Sequence, residues 1–161
     1  LIHTPMKLAL GTCAFLGAIL FYSFVFSPPT NSESTVEAHW EVDFDTAKSK
    51  AGDEKLILMS FRGSDWCAAC KRLEKSFFED SEFQSFASEN LVLLKLDFPI
   101  KKDNRLSKEQ TAHNEALAEK YNPEGKFPRV LLFNGSGELL GEIKTPMNST
   151  AEYITAIKKY Q

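Results

Sequence analysis

The chain has 161 residues, with 19 Lys and Arg against 22 Asp and Glu, a formal net charge of −3. That balance excludes a nucleic-acid binder resting on a broad basic surface, and 43% hydrophobic with 25% charged residues excludes a disordered chain. Three cysteines are too few for a disulfide-framework miniprotein or for an all-cysteine structural zinc site, and the length fits one domain with an appendage.

The appendage comes first. Leu8 to Phe26 is an uncharged apolar run, preceded by Lys7 and followed by Pro28, Pro29 and the acids Glu33, Glu37 and Glu41. It is long enough to span a bilayer. A cation before it and acids after it place the rest of the chain outside the cytoplasm. No small-x-small cleavage site closes the run, which favours an uncleaved anchor over a cleaved signal. Cys13 reads as a small apolar residue within it. The expected organisation is a signal or membrane-anchor segment over 1–27, a Pro-led, Ser/Thr-rich linker over 28–37, and a folded domain over 38–161.

Within the domain, Trp40, Phe44, Ala47 and Ala51 recur at helical spacing, so a helix is expected over 40–51, ended by Gly52-Asp53. The continuous apolar run Leu56–Phe61 suits a strand buried on both faces. Arg62–Asp65 is a loop, with Asp65 expected in solvent. A helix follows from Cys67 to Phe78 and a shorter one from Ser81 to Glu89. Leu91–Phe98 is a second strand. The charged stretch from Pro99 to Glu109 reads as a solvated insertion. Ser107 with Gln110 has the form of a capping box for a helix to Tyr121, in which His113 is a surface or packing residue. Asn122-Pro123 and Gly125 break it. Phe127–Phe133 and Leu139–Ile143 flank the turn Asn134-Gly135-Ser136-Gly137 as an antiparallel hairpin. A final helix, capped by Ser149, presents Tyr153, Ile154, Ile157 and Tyr160. Strands joined by helical crossovers lie parallel, so the expected class is α/β, a central mixed sheet flanked by helices.

The chemistry sits at Trp66-Cys67-Ala68-Ala69-Cys70-Lys71. Two cysteines three apart at the first turn of a helix can close a small-ring disulfide. At the helix N-terminus the free N–H groups and the dipole favour a thiolate over a thiol, lowering the pKa of Cys67. Cys70, one turn in and on the face of Leu73 and Phe77, is expected to be more buried and less ionised. Cys67 is then the attacking sulfur and Cys70 the resolving one. A lone CxxC also fits metal binding or a passive structural disulfide. No second cysteine pair exists in the domain, however, and His39 and His113 lack ligand spacing. The strand–loop–helix context favours redox work.

LILMSFRGSDWCAACK, then LVLLKLDF, then KYNPEGKFPRVLLFNGSGELLGEI resemble the thioredoxin superfamily, and more narrowly its extracytoplasmic thiol:disulfide interchange members, over about three quarters of the chain. The resemblance implies a thioredoxin fold and a redox-active disulfide Cys67–Cys70 with neither metal nor organic cofactor. It implies a cis peptide bond at Pro128 facing the cysteine pair, with Phe127 shaping the groove, and Trp66 and Lys71 in support. Typical members carry a buried Asp on the strand before the motif. Here Ser60 stands near that place, leaving water, Glu74 or Lys71 to take the Cys70 proton. The expected function is dithiol–disulfide exchange with protein disulfides, leaning to reductase or isomerase, by a monomer that depends on a redox partner protein. The expected location is extracytoplasmic, periplasmic or cell-surface, tethered by residues 8–26 or secreted. The alternative is a non-catalytic module that binds peptides or metal.

Overall fold

A computed structural model describes residues 37–161. The segment 1–27 with its apolar run and Cys13, and the linker up to residue 36, lie outside the described residues. Among the described residues no helix is long and apolar enough to cross a membrane.

The elements run β1 (Trp40–Glu41), α1 (Phe44–Ala51), β2 (Leu56–Arg62), α2 (Ala68–Leu73), α3 (Ser81–Asn90), β3 (Leu91–Asp97), α4 (Lys108–Tyr121), β4 (Arg129–Phe133), β5 (Leu139–Ile143) and α5 (Thr150–Lys158). One five-stranded mixed sheet has the order β1-β3-β2-β4-β5. β1 and β2 run parallel to β3, while β4 is antiparallel to β2 and β5. This is the thioredoxin fold.

Side chains alternate across β2, β3 and β4, because successive residues of a strand face opposite sides. Leu58, Leu93, Val130 and Leu132 pack with Phe77, Phe78, Phe83 and Tyr153 on one side. Ile57, Met59, Phe61, Leu94, Leu96, Leu131 and Phe133 pack with Ala47, Ala51 and Leu117 on the other. Both faces of the sheet are therefore covered, which is why these strands read as unbroken apolar runs.

Two expected helices differ in outline. The first starts at Phe44, and Trp40–Glu41 instead pairs with Leu93 and Leu94 as an edge strand. The Asp43 carboxylate accepts the Thr46 N–H at 2.7 Å and caps α1 there. Trp40 sits edge-on to Phe78, with ring centroids 5.1 Å apart, so its apolar side is spent on the opposite face of the sheet from α1. The second, expected to run unbroken to Phe78, is α-helical only to Leu73. It continues over Glu74–Phe78 as a π-turn closed by the Glu79 N–H on the Glu74 carbonyl at 2.9 Å. The wider turn shifts the phase, so that consecutive Phe77 and Phe78 both enter the core with Tyr153. The strands also shift slightly, with β2 reaching Arg62, β3 ending at Asp97 and β4 starting at Arg129.

Candidate active site

The loop after β2 is braced before it reaches the cysteines. Asp97, at the end of β3, accepts from the Ser64 N–H at 2.8 Å and the Ser64 hydroxyl at 2.6 Å. Asn114 of α4, nearly fully buried, donates to the Asp97 carbonyl at 2.9 Å and accepts from Gln110 at 2.9 Å. This polar chain was not anticipated from sequence.

Asp65 stays in contact with solvent, as expected, but it is also engaged. Its carboxylate accepts from the N–H groups of Ile100 and Lys101, at 3.1 and 2.9 Å, and from the Asn104 amide at 3.1 Å. The stretch 99–109 is mostly exposed, as an insertion should be, but its first half is pinned to the active-site loop by that carboxylate. Desolvation pushes Asp65 up, yet the hydrogen bonds from Lys101, Ile100 and Asn104 and the Lys101 charge outweigh it and hold the carboxyl below its usual 3.8. A carboxyl lowered in the folded state supports its contacts above the ordinary value and loses them as pH falls through the lowered one. The Ile100 and Lys101 amide resonances are therefore expected to keep their hydrogen-bonded positions down to about pH 4 and to move only below it. Movement already complete at pH 5 would contradict the contact.

Trp66 follows, with its ring N–H donated to the Phe98 carbonyl at 2.7 Å and its indole edge-on to Phe127 at 5.3 Å between centroids. The indole lies where a side chain on Gly63 would have to go, which is why glycine stands there. Trp66 remains 42% exposed, next to the cysteine pair in the chain.

Cys67 and Cys70 are joined by a disulfide, with the sulfurs 2.10 Å apart. Cys67 is the N-cap of α2, and its Sγ accepts the Cys70 N–H at 3.1 Å. That backbone donor favours a negative charge on Cys67. The expected difference in burial is absent, since Cys67 is 5% and Cys70 4% exposed. What distinguishes the sulfurs is the cap position, not exposure. Lys71 is exposed and pairs with no carboxylate among the described residues.

The Phe127–Pro128 peptide bond is cis. Buried Asn122 holds the approach to it, accepting the Lys126 N–H at 3.0 Å and donating to the Lys126 carbonyl at 2.9 Å. Phe127 also packs edge-on against Phe98 at 5.4 Å. Ser60 is buried on β2, opposite Lys95 of β3, and β2 carries no carboxylate. Glu74, one turn beyond Cys70, forms a bidentate, half-buried ion pair with Arg62. His39 is exposed, near Glu41 at 3.7 Å. His113 lies away from the cysteines and accepts the Phe44 N–H at 3.2 Å, joining α4 to the start of α1.

A thioredoxin-like family profile matches residues 39–135. The chain is 28% identical over 163 residues to the disulfide bond reductase DsbH of Chlamydia pneumoniae, covering 95% of this chain and 96% of that protein. It is 28% identical over 153 residues to the thiol:disulfide interchange protein DsbD of Colwellia psychrerythraea, of which it spans 23%. Among solved structures, a DsbH oxidoreductase superposes with a TM-score of 0.72 at 28% identity, over 81% of this chain and 89% of that one.

Proposed function

The chain belongs to the thioredoxin-like family, and from that premise we propose that it is a thiol–disulfide oxidoreductase that reduces protein disulfides through Cys67 and Cys70. The observation that supports this most directly is a disulfide at the N-cap of α2 with a backbone N–H on the Cys67 sulfur, while the cis Phe127–Pro128 segment lines a groove with Ala69, which stands between the two cysteines in the chain. Reduction is the favoured direction because the relative matched over nearly its whole length is named a disulfide bond reductase.

In the reduced chain the Cys67 thiolate attacks one sulfur of a substrate disulfide. A Cys67–substrate bond forms, the substrate S–S bond breaks, and the departing thiolate takes a proton. Cys70 then loses its proton and attacks the Cys67 sulfur. The mixed disulfide breaks, and the second substrate sulfur leaves as a thiolate that takes a proton from solvent. The substrate has gained two electrons and two protons, and Cys67–Cys70 is the disulfide seen here. We assign Glu74 to take the Cys70 proton, since it lies one turn on and Arg62 fixes it. Lys71 and Trp66 shape the contact surface. The redox-active disulfide is the whole redox apparatus, so a dithiol partner protein must return the electrons.

We further propose that residues 1–27 carry the chain to the extracytoplasmic side and that 8–26 tether it there, with 28–37 as linker and 38–161 as a monomeric redox domain. The charge pattern around the apolar run supports this reading.

An equilibrium redox titration of the full chain against dithiothreitol and glutathione tests the function. A reversible two-electron transition is expected nearer the about −270 mV of thioredoxin than the about −120 mV of a strong oxidant. No reversible transition would sink the enzymatic reading and leave a binding module.

A further inference from the structure

A groove of about 1190 Å³ opens beside the disulfide, between α2, the Pro128 segment and the loop from β5 to α5. Phe77, Pro128, Pro146 and Met147 give it an apolar floor, and Arg72, Lys126, Lys144 and Glu142 carry its charges. Glu142, the single acid, is occupied by Arg129 at 3.0 Å, so those two charges cancel. Lys126 is paired with Glu124, but both are more than half exposed and the pair is screened by water. Arg72 and Lys144 have no carboxylate within ion-pair distance among the described residues. The groove is thus positive on a chain whose formal net charge is −3, and a cleft with low-dielectric walls concentrates such a field.

We infer that this groove selects protein disulfides flanked by acidic residues. An extended substrate segment crosses Pro128 with an apolar side chain on the Phe77–Met147 floor and its Asp or Glu side chains toward Arg72 and Lys144. The inference rests on the oxidoreductase reading and leaves its chemical step unchanged. Two electrons still pass from Cys67 and Cys70 to the substrate sulfurs, one proton coming from the Cys70 thiol and one from solvent.

The test uses three disulfide-linked peptides of one apolar sequence, flanked by Glu, Gln or Lys, with neutral hydroxyethyl disulfide in parallel. Each is mixed with the reduced full chain in a single turnover, so no partner protein is needed. The Glu-flanked peptide is expected to react about tenfold faster than the Lys-flanked one at low salt. The ratio should shrink toward one near about 0.5 M NaCl. In a chain carrying both Arg72→Glu and Lys144→Glu the order should reverse. Each comparison is a ratio within one chain, so partial misfolding of the variant cancels. Equal rates for the three peptides, or an unreversed order in the double variant, overturn the inference, while reduction of hydroxyethyl disulfide would keep the oxidoreductase reading. Failure to reduce any of the four disulfides would overturn both.

Discussion

A chain carrying Cys70→Ser is expected to stop turning over and to accumulate as a covalent adduct of its substrates through Cys67. The reason is positional. Cys67 stands at the N-cap of α2 with the Cys70 N–H on its sulfur. A serine at 70 keeps that backbone donor, so the attacking thiolate remains stabilised. What disappears is the only cysteine sulfur among the described residues able to displace the substrate from Cys67, and the mixed disulfide persists. Cys67→Ser removes the nucleophile and should form no adduct. Both changes should lower steady-state reduction on the order of 10³-fold or more, but only Cys70→Ser should yield a species of chain-plus-substrate mass that dithiothreitol releases. Adducts through Cys70 in the Cys67→Ser chain would reverse the assignment of roles. The two cysteines are equally buried, so the asymmetry rests on the cap position of Cys67.

Phe61→Ala is expected to be the most damaging single core truncation for both stability and site. Phe61 is completely buried in β2, beside Leu96 of β3 and Arg129 of β4. Its ring stacks on Phe98 at 6.4 Å and 21° between planes. Phe98 meets Phe127 at 5.4 Å, and Phe127 meets Trp66 at 5.3 Å. Four aromatic rings therefore run from the sheet to the residue before Cys67. Deleting the first leaves a cavity beside fixed strands, at a cost of about 3–5 kcal/mol in urea unfolding of the oxidised chain. That is a large part of the roughly 5–15 kcal/mol that holds a domain folded. Phe61→Leu keeps most of the volume and should cost only about 1–1.5 kcal/mol. A cost below about 1 kcal/mol for Phe61→Ala would mean that this ladder does not carry the packing ascribed to it.

The features legible in the chain were those with a local cause. Strands β2, β3 and β4 announced themselves as short apolar runs, because both faces of the sheet are covered. The hairpin was marked by Asn134-Gly135-Ser136-Gly137, and α4 and α5 by Ser107 and Ser149, which accept the N–H of Gln110 and Glu152 as N-caps. The capping box, however, formed only in part. The Gln110 side chain donates to the Val42 carbonyl and to Asn114 rather than reaching back to its own cap. A distant acceptor won over the near one.

The cysteine pair, its place between a strand and a helix, and the α/β order were thus determined by sequence alone, because each depends on residues within a few positions of one another. Tertiary structure decided the rest. Trp40 belongs to an edge strand because β3 offers an unpaired edge and Phe78 a ring to meet. The helix widens at Glu74–Phe78 because two adjacent phenylalanines must share one core. Asp65 becomes a clamp because the chain returns to it 35 residues later. The positive groove exists because three segments far apart in the chain place Arg72, Lys126 and Lys144 around Pro128. Each of these is a contact across long sequence separation, and no local pattern of residue types encodes which partner a side chain will find.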